Sequence, residues 1–370
     1  MGNRISAVTM PRWGMTMTEG KVTRWAVPVG GEVRAGADLA EIETTKINNV
    51  LEAAEGGVLR RVVVGEGGSA GVGAIIAVVA APDVSDAEID AFVAAQVGNG
   101  DDDSAEVVSG PAARLVTAGT HTLNVLSMGN GGALPVIFIH GFGGDLNSWM
   151  FNQPVIAESR ATHALDLPAH GQSSLTHGKG SARALSESVV ALMDALAIPK
   201  AHLVGHSMGG AISLLLAATK PDRVASVFGV APGGLGPELN RAFIDGFIAA
   251  GRRPAMAAAL GLLFARPEIV SRTMVDESLR YKRQDGVDEA LAAIAAANFT
   301  PTGQKSGLRE LLPAIKPPIR IVWGAMDQVI PASQTAGLPA TVLEGAGHMP
   351  HMEKASEVNR ILADHLADLP

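Results

Sequence analysis

Val204-Gly205-His206-Ser207-Met208-Gly209-Gly210 decides how the longer part of this 370-residue chain folds. It reads G-x-S-x-G with one further glycine. The short apolar run Ala201-His202-Leu203-Val204 stands before it, and a good helix former, Ala211-Ile212-Ser213-Leu214-Leu215-Leu216-Ala217-Ala218, follows. The pattern is strand, sharp turn, helix. Such a turn forces the serine into a strained backbone conformation, so its neighbours must lack bulky side chains, and Gly205 and Gly209 meet that need. Ser207 Oγ is then held out at the edge of a sheet and at a helix N-terminus, where developing negative charge is favoured.

Working outward, strand and helix signals alternate from Arg114 onward. Val136-Ile137-Phe138-Ile139 is a continuous apolar run, as expected of a strand buried on both faces, and it ends in His140-Gly141-Phe142-Gly143-Gly144. Thr162–Leu165, Val224–Ala231, Ile319–Gly324 and Thr341–Leu343 read as further strands, with Leu123–Ser127 as an early one. A helix spans Ala182–Leu196, with Ala184, Leu185, Val189, Leu192 and Leu196 on one face. This alternation predicts a mostly parallel sheet with helices on both faces. Pro237–Leu312 breaks the rhythm with helical runs such as Arg241–Ala250 and Val287–Ala297 and no convincing strand. It reads as a helical cap, at about 237–312, over the carboxyl edge of the sheet, where ligands bind in such folds.

A serine alone is a weak signal, so its partners matter. Asp327 follows a late strand in Trp323-Gly324-Ala325-Met326-Asp327, and His348 follows the last one in Gly345-Ala346-Gly347-His348. The order nucleophile, acid, histidine is that of the α/β-hydrolase fold, which residues 114–370 resemble. The resemblance implies that His348 takes the serine proton and that Asp327 orients the imidazole. It also implies an oxyanion hole from the backbone N–H groups of Met208 and Phe142. His140, His206, His170 and Asp166 read as loop scaffolding. His351 is a weaker rival base and Asp145 a weaker rival acid. No His/Asp/Glu spacing suggests a metal.

The first eighty residues have a different texture. Short apolar runs are separated by glycine pairs, as in a small β domain. Val27-Pro28-Val29-Gly30 with Ala35-Gly36 corresponds to Val62-Val63-Val64-Gly65 with Ala70-Gly71. Likewise Gly20-Lys21-Val22-Thr23-Arg24 resembles Gly56-Gly57-Val58-Leu59-Arg60. Two similar halves suggest a sandwich with approximate two-fold symmetry. Between them lies Glu41-Ile42-Glu43-Thr44-Thr45-Lys46-Ile47-Asn48-Asn49-Val50, which alternates on both sides of Lys46 as in a hairpin. Symmetry puts Lys46 at the end of the domain opposite its termini. Residues 4–80 resemble a lipoyl domain, and the resemblance implies lipoate attached covalently to Lys46. Thr45 stands where that family often has Asp. The biotinyl relatives usually carry Met on both sides of the lysine, which Thr45 and Ile47 do not match.

The expected organisation is thus multidomain: an all-β lipoyl sandwich over 1–80, a flexible linker over 81–113, and an α/β-hydrolase domain over 114–370. In the linker, Ser85 and Glu88 form a capping-box pattern for one or two helical turns. Gly98-Asn99-Gly100-Asp101-Asp102-Asp103-Ser104 cannot bury enough apolar surface to order itself.

Composition bounds the function. The chain is 47% hydrophobic and 18% charged, with a formal net charge of −8 and no basic run, which argues against nucleic acid and weakly against an anionic membrane. It has no cysteine, so disulfides, thiolate metal sites and cysteine nucleophiles are excluded. No apolar run has membrane-spanning length and no secretory signal is visible, so a cytoplasmic location is expected.

Together the two domains resemble the acyltransferase components of acetoin-cleaving (acetoin dehydrogenase) systems. That resemblance implies acetyl transfer from dihydrolipoyl-lysine to coenzyme A. It also implies a thiamine-diphosphate-dependent acetoin-cleaving enzyme as loading partner and a dihydrolipoamide dehydrogenase that reoxidises the arm. The usual acyltransferase motif of such complexes, His-x-x-x-Asp-Gly, is missing, so the chemistry falls to Ser207. Two other readings stay open: a serine hydrolase (esterase, thioesterase or carbon–carbon hydrolase) with a lipoyl appendage, and a carrier in which only Lys46 works. The oligomeric state is left open.

Overall fold

The computed structural model describes residues 4–11, 13, 17–44, 48–97, 111–175, 180–305, 307–367 and 369. The chain divides into two compact units, Met1–Gly110 and Pro111–Pro370.

The first unit holds eight strands: β1 (Ile5–Thr9), β2 (Glu19–Trp25), β3 (Glu32–Val33), β4 (Asp38–Glu43), β5 (Asn48–Glu52), β6 (Gly57–Val62), β7 (Ser69–Gly71) and β8 (Ile75–Ala80). They form two four-stranded sheets, ordered β1-β8-β6-β3 and β5-β4-β2-β7. Exchanging the first strand of each pair for the second (β1 and β5, β8 and β4, β6 and β2, β3 and β7) turns one order into the other. The internal repeat is therefore a two-fold symmetry of the sandwich. Its core includes Val33, Leu39, Leu59, Ala77 and Val79.

β4 and β5 are antiparallel, with Glu43 opposite Asn48. Lys46 lies in the chain between these two residues, outside the described residues. The two-fold counterpart of this hairpin end is Ile5 opposite Ala80, where the unit's chain enters and leaves.

The linker expectation over 81–113 needs correction at its start. Asp86–Val97 forms α1, three turns long, which packs on the outer face of β8: Val78 and Ala80 meet Val84 and Ile89, with Phe92 and Val93 alongside. The capping box is made. The Glu88 N–H donates to Ser85 Oγ (3.3 Å), while the Ser85 N–H and hydroxyl donate to Glu88 Oε2 (2.9 and 2.6 Å). The physical reason lies in β8 itself. Ile-Ile-Ala-Val-Val-Ala is apolar on both faces, the sandwich covers only one, and α1 covers the other. Residues 98–110 of the expected linker lie outside the described residues.

The second unit runs β9 (Arg114–Ala118), β10 (His121–Met128), β11 (Val136–Ile139), α2 (Gln153–Ala157), β12 (Thr162–Leu165), α3 (Ala182–Ala195), β13 (Ala201–His206), α4 (Met208–Thr219) and β14 (Val224–Val230). The cap follows as α5 (Arg241–Ala249), α6 (Arg253–Gly261), α7 (Arg272–Lys282) and α8 (Val287–Asn298). It also holds a two-stranded hairpin, β15 (Phe299–Thr300) with β16 (Gly303–Gln304), where the sequence reading finds no strand. β17 (Ile319–Gly324), β18 (Ala340–Leu343), α9 (Pro350–Glu353) and α10 (Ala355–Ala367) complete the chain. The eight-stranded sheet has the order β18-β17-β14-β13-β11-β12-β10-β9. Strands β12, β11, β13, β14, β17 and β18 are parallel, and β10 and β9 are added antiparallel. Every residue of β11 and β13 is buried, as a central parallel sheet with both faces covered requires.

Candidate active site

β13 delivers Ser207 to the carboxyl edge of the sheet. Ser207 has φ 52° and ψ −113°, a strained conformation for a residue with a Cβ, and α4 begins at the next residue. The turn is locked by three backbone bonds. The Ser207 N–H donates to the Val230 carbonyl (2.9 Å), and the Ser207 carbonyl accepts from Ala211 and Gly233 (3.0 and 2.9 Å). Its glycines are sterically required. A Cβ on Gly205 would stand 2.3 Å from the Gly209 carbonyl oxygen, and one on Gly209 would stand 2.2 Å from that of Ile139. Met208 opens α4, so its N–H has no partner within the helix. Phe142 follows β11 on the neighbouring loop, where its ring meets Phe247 and Phe299 edge-on.

β17 and β18 deliver the other two residues. His348 Nδ1 donates to Asp327 Oδ2 at 2.7 Å, and both side chains are buried. Asp327 is fixed from all sides: Oδ2 also accepts from Trp323 Nε1 (3.0 Å), and Oδ1 accepts from the N–H groups of Val329 and Ile330 (2.8 and 2.9 Å). The tautomer is thereby set, with the proton on Nδ1 and the lone pair on Nε2. His348 Nε2 is buried without a hydrogen-bond partner among the described residues. Asp327 and His348 are thus joined directly. His348 is tied to the serine turn through His206, whose Nε2 donates to the His348 carbonyl (2.9 Å) and whose ring lies 4.7 Å from that of His348.

His140 and His170 are held by backbone groups. His140 Nε2 accepts from the Leu167 N–H (2.9 Å) while its Nδ1 donates to the Gly141 carbonyl (2.7 Å). His170 Nε2 accepts from the Gly143 N–H (3.1 Å) and its Nδ1 donates to the Pro168 carbonyl (3.1 Å). Burial pushes His140 down to about 4 and His170 to about 3, so both are neutral, with both ring nitrogens engaged. His206 is held well below its ordinary value, by burial first and then by the His348 and His351 rings. His351, down to about 3 through burial, packs between Trp149 and His206. Asp166 accepts from Asn124, Leu146 and Gln172, and burial raises its carboxyl. Asp145, raised to about 6 by burial and then by the charge of Asp166, accepts from the Asn147 N–H at the start of a short turn.

A cavity of about 280 Å³ opens onto the serine. Ser207, Met208 and Phe142 form its floor, and the cap closes it with Leu239, Phe243 and Ile244. Its lining is mainly apolar. Lys305 at its edge donates to the carbonyls of Ala296 and Ala297 near the end of α8.

The sequence reading missed Glu353. Its Oε2 accepts from the Gly347 N–H (2.7 Å), beside His348, and its Oε1 accepts from the Ala265 N–H (2.8 Å), in the cap. The two backbones approach closely here, since a Cβ on Gly347 would stand 2.5 Å from the Ala265 nitrogen. Burial raises the Glu353 carboxyl to about 7, against the pull of both N–H groups. The available signal was one acid closing the otherwise apolar run Met349-Pro350-His351-Met352.

Among the described residues, no group of three or more His, Asp or Glu side chains could hold a metal ion, and no helix is long and apolar enough to cross a membrane.

Comparison with known proteins agrees with both units. A family model described as "alpha/beta hydrolase fold" matches residues 135–355, and a biotin/lipoyl model described as "Biotin-requiring enzyme" matches residues 6–79. The second unit is similar in fold to a meta-cleavage product hydrolase from Pseudomonas fluorescens IP01, with a TM-score of 0.62 and 21% identity over 69% of this chain and 97% of that one. Over nearly the whole length, the chain is 43% identical to the dihydrolipoyllysine-residue acetyltransferase component of the acetoin cleaving system of Pseudomonas putida, covering 97% of each. It is 41% identical to the component of the same name from Cupriavidus necator, covering 98% of this chain and 97% of that one. With a biotin/lipoyl-type first unit and an α/β-hydrolase-fold second unit, the chain belongs to the family of the acetyltransferase components of acetoin-cleaving systems.

Proposed function

We propose that this chain transfers an acetyl group from dihydrolipoyl-lysine to coenzyme A, with Lys46 as the lipoyl attachment site and Ser207, His348 and Asp327 as the catalytic residues. The observation that carries it is a serine turn next to a buried His348–Asp327 pair, in a chain whose first unit is of the lipoyl type and whose relatives are named for this reaction. The residues around Lys46 suit such a group. In the sequence Lys46 falls between Glu43 and Asn48, which pair directly, and the two-fold counterpart of that pair is Ile5 opposite Ala80.

When bound, the dihydrolipoyl group supplies the acetyl as a thioester. Ser207 Oγ attacks the thioester carbonyl while its proton passes to His348 Nε2. Reorientation of the serine side chain closes that bond, since such contacts are commonly loose in unliganded sites. Asp327 stabilises the imidazolium without taking the proton. The N–H groups of Met208 and Phe142 stabilise the tetrahedral oxyanion. The carbon–sulfur bond breaks, and His348 returns its proton to the departing sulfur. The acyl-serine is then attacked by coenzyme A. Its thiol gives a proton to His348, the new carbon–sulfur bond forms, and Ser207 leaves with that proton. The apolar cavity walls disfavour water as the competing acceptor. An acetoin-cleaving thiamine-diphosphate enzyme would load the arm, and a dihydrolipoamide dehydrogenase would reoxidise it.

The test is the rate of acetyl-coenzyme A formation beside free acetate release, with acetyl-dihydrolipoamide as donor. Ser207→Ala should lower transfer by about three to six orders of magnitude, because triad members act as a unit. Asp327→Asn should lose nearly as much, through the wrong histidine tautomer. Full transfer in Ser207→Ala would favour a carrier role alone. Acetate release indifferent to coenzyme A would favour a hydrolase.

A further inference from the structure

The cap carries a second cavity, of about 520 Å³, lined by Arg252, Arg253, Arg280 and Arg283 with Asp276 and Leu279. The four arginines come from two places: Arg252 and Arg253 at the start of α6, and Arg280 and Arg283 at the end of α7. Asp276 takes Arg253 through two hydrogen bonds, one at 2.9 Å from Nη2, which fixes that guanidinium and balances its charge. The Asp276 carboxylate, held below its ordinary value by Arg253 first, also feels the charge of Arg280, while Arg252 and Arg283 stand in no ion pair among the described residues. The second unit as a whole is balanced, with 21 Lys/Arg and 21 Asp/Glu between residues 111 and 370, so this concentration is not the by-product of a basic domain. The groove is lined by four exposed guanidinium groups against one carboxylate, an excess of positive charge that an anion would offset. Planar donor forks of this kind match the oxygen geometry of phosphate.

The groove is mechanically joined to the serine cavity. Phe243 and Ile244 of α5 line that cavity, and Gly251-Arg252 follow the other end of the same helix. A rise of 1.5 Å per residue separates the two places by roughly 10 Å along the axis. Lys282 donates to the carbonyls of Ile248 and Ala250 (2.6 and 2.9 Å), so the end of α7 that bears Arg280 and Arg283 is pinned to the end of α5.

We propose that this arginine groove binds the phosphate groups at the nucleotide end of coenzyme A, while the thiol-bearing arm reaches along α5 toward Ser207. The inference rests on the acyl transfer proposed above and names where its acceptor is held. A concave site suits a compact polyanion better than a convex protein face. The acidic first unit is the rival occupant, and the test separates the two.

The first measurement is calorimetric binding of adenosine 3′,5′-bisphosphate to the full-length Ser207→Ala protein, which needs no turnover. Binding should be seen there and lost when Arg252→Ser, Arg280→Ser and Arg283→Ser are added, with Arg253 and Asp276 left in place. Binding unaffected by the triple change would overturn the proposal, as would no binding at all. The second measurement is acceptor kinetics in otherwise intact protein. The triple variant should raise KM for coenzyme A at least about ten-fold, as expected when charge-assisted bonds to phosphate are removed, with kcat at saturation kept. KM for pantetheine, which lacks the phosphates, should not move. Equal rises for both acceptors, or a rise confined to the lipoylated first unit as donor, would overturn it. A wild-type protein that binds the bisphosphate yet forms no acetyl-coenzyme A would instead count against the acyl transfer itself.

Discussion

Residues 1–110 hold 16 acidic side chains against eight basic ones, whereas residues 111–370 hold 21 of each, so the whole formal charge of −8 sits on the first unit. The two units also place their working residues differently. In the first, the proposed attachment lysine is read from a local repeat: it falls in the sequence between the paired strand ends Glu43 and Asn48, whose two-fold counterpart is Ile5 opposite Ala80. In the second, His348 and Asp327 are joined by one 2.7 Å contact and tied to the serine turn through His206, because parallel strands end at one edge of the sheet. A local site survives with little support, while an assembled site depends on everything that fixes its loops. The same contrast exists within the first unit. β4 leaves its two end residues, Asp38 and Glu43, exposed, while its counterpart β8 is apolar throughout and is covered by α1. The two-fold symmetry is broken where the chain must leave.

The sharpest way to break the comparison is to disable one unit and ask whether the other notices. Lys46→Arg keeps the charge but removes the acylatable amine. It should abolish lipoate attachment, read by intact mass, yet leave transfer from free acetyl-dihydrolipoamide to coenzyme A unchanged. Lipoate on the Arg variant, or a matching loss of transfer, would merge what is separated here.

A smaller effect is expected from α1. Ile89 is fully buried against β8. Ile89→Ala should destabilise the first unit by about 2–5 kcal/mol, as large-to-small changes in cores do, while the unfolding of the second unit and its transfer rate stay as they were. A variant with unchanged stability would show that α1 adds nothing to the first unit's fold.

The smallest effect belongs to Glu353. Its carboxyl is raised from 4.5 to about 7 in the folded chain, so between these values the unfolded chain has lost a proton that the folded chain keeps. Stability therefore falls as pH rises from about 4.5 to about 7 and is flat above, a slope that Glu353→Gln should remove. Activity should run the other way. The ionised carboxylate accepts from both Gly347 and Ala265, and protonation below about 7 weakens its hold on the His348 loop. Glu353→Gln should lower kcat and flatten this acid limb. An unaltered pH–kcat profile would show that the cap and the histidine loop are held together by other contacts.

What was legible in the sequence follows the same division. β11, β12 and β17 fall at the bounds read from the sequence; β11 declares itself by composition, being apolar and buried throughout, whereas β12 carries Thr162 and His163 and β17 an exposed Arg320. β9 was not legible, since Arg114 and Leu115 are exposed on an edge strand that exists by pairing with β10. The capping box of Ser85 and Glu88 was readable, but not the length of α1, which depends on the far face of β8. Glu353 was hidden for the same reason: its partners are backbone N–H groups six and 88 positions away, and no pattern of side chains encodes them.

The central claim is that an acetyl group rests on Ser207 between donor and acceptor. The direct measurement is the mass of the protein and its peptides after rapid mixing with acetyl-dihydrolipoamide in the absence of coenzyme A. The account predicts one acetyl group on the peptide bearing Ser207, absent in Ser207→Ala and discharged as acetyl-coenzyme A when coenzyme A is added. Acetyl-coenzyme A formed at the same rate with Ser207 never acetylated, or formed undiminished by Ser207→Ala, would contradict it.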